Sequence, residues 1–600
     1  MKRSIAFPSA WLVVAAAIAA CSSQRDVFDE RKNTFTDPDA GADANPPGPV
    51  CGFRCSPDLK TVLRGCDGAD LEVVEVCGPD QGCGVDKCVD ACESARLSKG
   101  SIGCSFWTVP PDDEQYGSGA CYAALVANTW DRPVMVTAEI GGAPLDISKS
   151  IYTTSRTGAD QETYTPVAGP LAPGQVAVVF LSQSAVQRRP DAKRCPEGVV
   201  PALLSDPFVH GTAKSVAFHL KTDAPISAYA IFPYGGADSF YPTSTLLLPV
   251  SSWDKNYVAV TTGRFGNPYD RGPLGRRTIQ IVANDDDTQV TMRPNVHIVG
   301  AVGLEGATKN QPKTWTLSRG EVLQFVQIDS PAGSPIEANK PVGLFGGSPC
   351  TFLPIEKGAC DLTQQQIPPF SQWGTSYPLV PYLSRLSSPS GSRVRETVGF
   401  TLVGAADDTV LTYDPIKPPT APEKLSSGEV VSFMTDAIVH VRSQDSKHPF
   451  YAGVNMSGWQ YGGGANRMGD PEFVNIVPVE QFLDRYVFFV DYTYPDTSVT
   501  VVRRKTPGGF APVALECAGE ITSFVPLDGA GEYEYAWVKL TSDFHPQKYP
   551  KGECGYGRHE ARSTGPFSVT VWGIGPAASY GYAGGSGARP VNDAPPPPVN

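Results

Sequence analysis

The chain has 600 residues, of which 41% are hydrophobic and 18% charged. This is enough apolar material for several compact units rather than a single core. Its 60 glycines and 56 prolines are typical of many short strands joined by turns, and they disfavour a helical bundle. The net charge of -13 is spread along the chain without a basic stripe, so we expect no nucleic-acid partner.

The N-terminus resembles the export signal of bacterial lipoproteins. Lys2 and Arg3 precede an apolar stretch over residues 10–20, and Cys21 follows it directly. This pattern predicts a lipoprotein signal peptide over residues 1–20 and lipid attachment at Cys21, which anchors the chain to a membrane. Ser22 stands where such lipoproteins carry an aspartate for inner-membrane retention, so we expect the outer membrane, at the cell surface or facing the periplasm. The alternative is an ordinary secretory signal that leaves Cys21 as a free thiol.

Two segments have the composition of disordered chain. Residues 21–50 are rich in Asp, Ala, Pro and Gly and poor in aromatic residues, which predicts a tether that cannot bury enough apolar surface to fold. Residues 584–600 contain a run of prolines near their end, and we predict a disordered tail there.

Residues 51–100 are dense in cysteine, which in an exported chain predicts a small module held by disulfides. Zinc is the alternative, but this segment has no Cys-x2-Cys pair and no histidine, so we predict no metal. The disulfide candidates of the whole chain are Cys51, Cys55, Cys66, Cys77, Cys83, Cys88, Cys92, Cys104, Cys121, Cys195, Cys350, Cys360, Cys517 and Cys554. Seven lie in the module, so one of these should pair outside it, with Cys104 the nearest partner. The later six suggest the pairs Cys121–Cys195, Cys350–Cys360 and Cys517–Cys554, although the sequence leaves the connectivity open.

The rest of the chain repeats at intervals of about 110 residues, which indicates duplication of one unit. Glycine followed by Glu or Gln and then Val or Ile precedes an apolar strand at Gly174, Gly320, Gly428 and Gly519. Proline precedes another apolar strand at Pro225, Pro341, Pro449 and Pro566. We predict four β units, over residues 101–240, 241–359, 360–470 and 471–583.

An aromatic pattern, Pro-x3-Trp/Phe-x3-Tyr, recurs in three places. It occurs at Pro249, Trp253 and Tyr257, at Pro369, Trp373 and Tyr377, and at Pro478, Phe482 and Tyr486. The four-residue steps place both aromatic side chains on one side of a helical turn before a strand. We interpret the pair as a plug at the end of a sheet, and a carbohydrate-stacking platform is the alternative.

Hairpins are recognisable within the units. In the second unit the strand over residues 278–283 is followed by a polar turn over residues 284–287 and a returning strand from Gln289. The third unit repeats this layout around a turn at Asp407 and Asp408. About seven short strands in about 110 residues predict an all-β fold of tandem β-sandwich-like units after the disulfide-rich module, with a β-propeller as the alternative.

We find no catalytic motif. The acidic turns at residues 284–287 and 407–408 lack EF-hand spacing, and aspartate in a turn needs no Ca²⁺ because it bonds its own backbone. The histidines, which lack metalloprotease spacing, are His210, His219, His297, His440, His448, His545 and His559. There is no Gly-x-Ser-x-Gly elbow and no Walker loop, and the glycines near Gly573 lack a following helix pattern. We therefore predict no enzyme and no cofactor, although a triad of distant residues would leave no such trace.

Three segments carry a family resemblance. They are residues 103–109 (GCSFWTV), residues 340–350, which end at Cys350, and residues 360–377, which contain Cys360-Asp361 and Pro368-Pro369-x3-Trp373-Gly374. Together they resemble the N-terminal domain of the IgG-Fc-binding mucosal glycoprotein, and the version carried by myxobacterial-type lipoproteins that begin with a similar cysteine-rich stretch. The resemblance spans residues 103–582. It implies an extracellular adhesion or binding role and a Cys350–Cys360 disulfide, but it does not carry over Fc binding.

These observations favour a lipid-anchored cell-envelope protein that acts as a non-catalytic extracellular binding or adhesion module, with a protein or glycan ligand. The alternatives are a structural envelope component without a discrete ligand and a secreted hydrolase with dispersed catalytic residues. An exposed aromatic groove around Trp459, Tyr461 and Trp572 would favour the binding module, whereas a buried cluster of histidine and carboxylates with shifted pKa values would favour the hydrolase.

Overall fold

The computed structural model describes residues 51–66, 71–113, 117–157, 161–187, 192–239, 241–265, 275–353, 360–386, 394–462 and 467–600. Cys21, the signal peptide and the tether lie outside these residues. Residues 51–600 form one compact unit. Among the described helices, none combines the length and the apolar character needed to cross a bilayer.

The cysteine-rich module is a small, mostly β structure. Its elements are β1 (Cys51–Cys55), β2 (Thr61–Cys66), β3 (Glu72–Val76), β4 (Gln81–Cys83), β5 (Cys88–Asp90) and α1 (Ala91–Ser98). Strands β1, β2 and β3 form an antiparallel sheet, and β4 pairs with β5. Val62, Cys77 and Cys83 form a small hydrophobic cluster with two partly buried cysteines, while Leu59 and Ala91 pack into the core of the body. Crosslinks therefore take the place of a large apolar core in the module. Asp90 caps the N-terminus of helix α1, because its carboxylate accepts from the backbone N–H groups of Cys92 and Glu93.

The first repeat follows the module. Its strands are β6 (Gly103–Thr108), β7 (Tyr122–Asn128), β8 (Val136–Ile140), β9 (Ala143–Leu145), β10 (Ile151–Thr157), β11 (Gln161–Pro166), β12 (Val176–Ser182), β13 (Ala213–Val216), β14 (Phe218–Phe232) and β15 (Thr243–Leu246). The long strand β14 pairs with β6, β7, β8 and β15. It therefore joins strands that would otherwise form separate layers.

The second repeat has the same arrangement. Its strands are β16 (Asp254–Val258), β17 (Arg277–Ala283), β18 (Thr288–Met292), β19 (Lys313–Leu317), β20 (Glu321–Gln327), β21 (Pro335–Thr351) and β22 (Asp361–Ile367). The long strand β21 pairs with β16, β17, β18 and β22. Strand β13 of the first repeat pairs with β20, so the two repeats share a sheet.

In the third repeat the long strand is divided in two. The elements are β23 (Ser376–Leu379), β24 (Val398–Gly404), β25 (Thr409–Val410), β26 (Thr412–Asp414), β27 (Lys424–Leu425), β28 (Val430–Thr435), β29 (Val439–Arg442), β30 (Phe450–Met456), α2 (Trp459–Gly462) and β31 (Glu472–Asn475). Strand β29 pairs with β23 and β26, whereas β30 pairs with β24 and β31. The two halves thus belong to two separate sheets.

The fourth repeat restores the long strand. Its strands are β32 (Leu483–Val490), β33 (Asp496–Arg504), β34 (Val513–Leu515), β35 (Gly519–Glu520), β36 (Val525–Pro526), β37 (Tyr533–Ser542), β38 (His545–Lys548), β39 (Glu553–Cys554), β40 (Gly557–Gly575) and β41 (Ala578–Ala583). Strand β40 pairs with β32, β33, β34 and β41. The all-β prediction is confirmed, and the described strands form several sheets without a closed propeller.

The repeated sequence patterns have the same structure in each repeat. The glycines Gly174, Gly320, Gly428 and Gly519 all have positive φ, a conformation that disfavours side chains with a Cβ. The phenol groups of Tyr257, Tyr377 and Tyr486 donate to the backbone oxygens of Val342, Phe450 and Phe567 at 2.6, 2.7 and 2.6 Å. Trp253, Trp373 and Phe482 are buried, each after a short 3-10 turn that follows the proline. The aromatic pattern is therefore a core plug, as predicted, and not an exposed sugar platform.

The two acidic hairpin turns also have matching hydrogen bonds. Asp286 accepts from the backbone N–H of Arg319, and Asp407 accepts from that of Ser427, both at 2.9 Å. Asp287 and Asp408 have positive φ. The hydrogen bonds to the carboxylates and the positive φ angles together stabilise the two turns.

Six disulfides join described cysteines: Cys55–Cys83, Cys77–Cys88, Cys92–Cys104, Cys121–Cys195, Cys350–Cys360 and Cys517–Cys554. The side chains of Cys51 and Cys66 lie outside the described part, although their backbones are partners in the β1–β2 register. The Cys92–Cys104 bridge connects α1 of the module to β6 of the first repeat. It thereby fixes the module against the body of the protein.

Residues 584–593, in the segment whose composition predicts a disordered tail, make several hydrogen bonds to the body of the protein. The backbone N–H groups of Ala588, Val591 and Asp593 donate to Lys99, Ser371 and Ser446. The Asn592 amide donates to the backbone oxygens of both Phe370 and Trp373 at 2.9 Å. Backbone and amide hydrogen bonds hold the tail in place, and a composition poor in apolar residues does not reveal them.

Candidate binding site

A cleft of about 460 Å³ lies between the cysteine-rich module and the fourth repeat. The module contributes residues of β1 and α1, and the fourth repeat contributes the beginning of β32. The lining includes Phe53, Arg54, Leu97, Leu483, Arg485 and Arg589. A volume of a few hundred Å³ with mixed apolar and charged walls is typical of a ligand site.

Apolar side chains at this cleft are open to solvent. Phe53 is 44% exposed and Val85 is 53% exposed, and both line the cleft. Leu97 on α1 and Leu483 on β32 are partly buried on the opposite walls. Exposed apolar side chains grouped at a concave surface are a common mark of an interaction site.

Behind the cleft lies a group that we call the arginine cluster: Arg485, Arg558 and Arg562 around Glu560. Arg485 Nε donates to Glu560 Oε1 at 2.7 Å, and Arg558 and Arg562 also donate to this carboxylate. Burial acts to raise the pKa of Glu560, but the hydrogen bonds from Arg562 and Arg485 lower it to about 2. Glu560 is therefore ionised at neutral pH, and the region keeps its charges.

A cluster of acidic side chains lies where the hairpins of the repeats meet. Strands β15 and β31 each contact both β22 and β41. At this place lie four buried carboxyl groups, which we call the acidic junction: Asp361, Asp470, Glu472 and Asp491. Within the described part of the chain, both oxygens of Asp361 and one oxygen of each other member accept no hydrogen bond.

The acidic junction has no arginine that bonds its carboxylates in the described residues. Burial, with the nearby charges of Asp470 and Glu472, raises the pKa of Asp361 well above its ordinary value. Burial also raises the pKa of Asp470 to about 7, against the opposing charge of Arg385, and that of Asp491 to about 7. These groups thus hold protons over a pH range in which exposed carboxyls are ionised.

One cluster has the serine, histidine and aspartate of a catalytic triad in sequence of contact. Ser118 Oγ lies 3.3 Å from His210 Nε2, and His210 Nδ1 lies 3.3 Å from Asp112 Oδ1. However, Asp206 Oδ2 lies closer to Nε2, at 2.9 Å. Burial opposes the charge of His210, but its hydrogen bonds to the carboxylates of Asp112 and Asp206 raise its pKa to about 10. A histidine that is protonated at neutral pH cannot take the serine proton, so this cluster is an ion-pair network rather than a nucleophile site.

The aromatic groove suggested by the sequence does not assemble. Trp572 is fully buried, whereas Tyr461 is 45% exposed, and Trp459 at the start of α2 lies against Arg467. Among described residues, no group of three or more His, Cys, Asp and Glu side chains is arranged to hold a metal ion. The histidines form separate contacts, such as His219 stacked on Trp107 with ring centroids 4.1 Å apart.

Sequence reasoning missed the cleft and the arginine cluster. One signal was present: Arg558, Glu560 and Arg562 alternate along β40, and residues two apart point to the same face of a strand. The partner Arg485 comes from another strand, β32, through the β32–β40 register. Only the fold shows that these side chains meet behind the module.

Together, these features define a disulfide-stapled, all-β protein with a cleft between its module and its repeated body. The chain belongs to the family described as IgGFc binding protein, whose model matches residues 243–573, more than half of its length. This is a family of binding domains rather than enzymes. The match includes β32 at the cleft, whereas the cysteine-rich module lies outside it. Comparisons with curated proteins and with solved structures find no match.

Proposed function

We propose that this chain is a lipid-anchored cell-envelope protein whose exported part is a non-catalytic extracellular binding or adhesion module for a protein ligand. Family membership supports a binding role. The cleft between the module and the fourth repeat is the observation that carries the proposal, because it joins exposed apolar side chains to a charged wall.

The walls of the cleft are held in fixed positions. The Cys55–Cys83 and Cys92–Cys104 bridges fix the module side, and the Tyr486 hydrogen bond to Phe567 fixes β32 on the other side. A site that is ordered before binding loses little conformational entropy when its ligand arrives. The repeated body then serves as a rigid support for the cleft.

The anchor is tested by growth with labelled palmitate. We expect label on the wild-type chain and none on Cys21→Ser, because the thiol is the proposed attachment point. Label retained by Cys21→Ser contradicts the anchor. Protease treatment of intact cells then separates surface display, in which the chain is cut, from a periplasmic position, in which it is protected.

Binding is tested with the full chain in detergent on an array of extracellular proteins that includes the Fc fragment of IgG. We expect at least one protein to bind, and Leu97→Trp to weaken that binding about tenfold or more, because a larger side chain fills the cleft. Arg96→Trp, on the exposed side of the same helix, is the matched control. Equal binding by Leu97→Trp at wild-type stability contradicts the cleft, and Phe53→Ala repeats the test without added bulk.

A further inference from the structure

We infer that the cleft binds an acidic segment of an extracellular protein with apolar side chains beside its carboxylates, and that the C-terminal tail supplies Arg589 to hold those carboxylates. This inference rests on the proposed binding function and names the chemistry of the partner. It is carried by the charges at the cleft, the fixed position of the tail and the exposed apolar wall.

The charge around the cleft differs from that of the whole chain. The chain has 62 acidic against 49 basic side chains, whereas arginines outnumber carboxylates here. Among the residues that line the cleft, the charged side chains are those of Arg54, Arg485 and Arg589 against the single carboxyl group of Asp484. A local basic surface on an acidic protein attracts an acidic ligand and disfavours a basic one.

Asp484 is the one carboxyl group among the residues that line the cleft. Burial raises its pKa, and the charges of Arg485 and Arg589 act in the opposite direction. Arg589 and Asp484 both line the cleft. Because Asp484 is partly buried, Arg589 is the more accessible of the two charges.

The tail holds Arg589 in position through its backbone. The amide of Gln481 donates to the backbone oxygen of Arg589 at 2.7 Å, and the backbone N–H of Gly587 donates to that of Gln481 at 2.9 Å. The Asn592 side chain secures the chain beyond Arg589. The exposed side chain of Arg589 thus projects from a segment fixed on both sides.

The apolar wall completes the chemistry of the partner. Phe53 and Val85 are exposed at the same cleft, so a carboxylate at Arg589 would be accompanied by apolar side chains on the module. Burial of apolar side chains from water contributes affinity, and the arginines favour a ligand with negative charge. An acidic peptide with alternating apolar residues therefore matches both surfaces.

The test uses a fluorescein-labelled peptide of alternating Glu and Leu, with the full chain in detergent and fluorescence anisotropy as the readout. We expect binding that weakens with salt and is reduced about tenfold by Arg589→Glu. Arg589→Lys should keep most of the affinity, and Arg504→Glu, an equal charge change at an exposed position away from the cleft, should leave it unchanged. A peptide of alternating Lys and Leu should bind far more weakly.

Equal binding of the two peptides, or full affinity in Arg589→Glu, overturns the inference. The array separates this failure from failure of the proposed function. If an array ligand is lost in Leu97→Trp but kept in Arg589→Glu, the binding cleft stands and the acidic partner is wrong. If neither the array nor either peptide shows binding, both proposals fail.

Discussion

At the acidic junction, both oxygens of Asp361 accept no hydrogen bond from the described residues, whereas at the arginine cluster Glu560 accepts from three guanidinium groups. Burial raises the pKa of Asp361 in the first region, whereas the arginines lower the pKa of Glu560 in the second. Carboxylate residues therefore have opposite roles in one chain. Protonated groups lie inside the scaffold where the repeats meet, and ionised groups lie beside the cleft.

The largest expected difference is in the pH dependence of stability. Asp470 and Asp491 have folded pKa values of about 7, above the ordinary 3.8, so their stabilisation is fully present below about pH 4 and is lost as pH rises through about 7. The loss is at most about 4 kcal/mol for each group. Glu560, with a pKa of about 2, has the opposite sign, and its stabilisation is lost as pH falls from about 4 to about 2.

Urea unfolding midpoints measured from about pH 3 to about pH 9 test this contrast. We expect a maximum near about pH 4, with a decline on both sides. Midpoints that rise steadily from pH 5 to pH 8 would show that the junction carboxyls are not protonated in the folded chain.

The next effect concerns the arginine cluster. Glu560→Gln should lower the free energy of unfolding by about 2 to 3 kcal/mol at neutral pH, because Arg485 and Arg558 remain partly buried without their shared carboxylate. Partial solvent access reduces the cost below that of a fully buried pair. Urea midpoints should show the loss, and the exposed Glu553→Gln should show none. An unchanged midpoint in Glu560→Gln would contradict the pairing.

The smallest expected effect is a gain, rather than a loss, in the free energy of unfolding. Asp361→Asn should stabilise the chain by about 1 kcal/mol at pH 8, because the neutral amide needs no proton to remain buried, and should change little at pH 5. The exposed Asp86→Asn is the control and should have no effect at either pH. Destabilisation by Asp361→Asn at pH 8 would show that the ionised carboxylate has a partner.

Much of the fold could be predicted because the same short sequence patterns recur in several repeats. The plugs at Trp253, Trp373 and Phe482 and the turn at Gly320 each follow from residues close in sequence. The long strands could not be predicted from the sequence. Only the structure shows that β21 pairs with four other strands, and that the corresponding strand of the third repeat is divided into β29 and β30. Pairing across repeats, as between β13 and β20, also leaves no local pattern.

The site was far less predictable. The cleft combines Phe53, Arg485 and Arg589, which lie more than five hundred residues apart at the extremes. The composition of the tail is poor in apolar residues and predicts disorder, and it gives no sign of the hydrogen bonds to Gln481 and Lys99 that the folded body provides. Tertiary contacts, and not local propensity, create this surface.

Hydrogen exchange of the full chain in detergent, with and without the Glu-Leu peptide, tests most directly whether the cleft is where this protein binds. If the cleft is the binding site, exchange should slow at residues 53–59 and 483–487 when the peptide is present and stay unchanged at residues 361–367 in the acidic junction. Unchanged exchange around the cleft under saturating peptide, or protection confined to the junction, would contradict this assignment of the binding site.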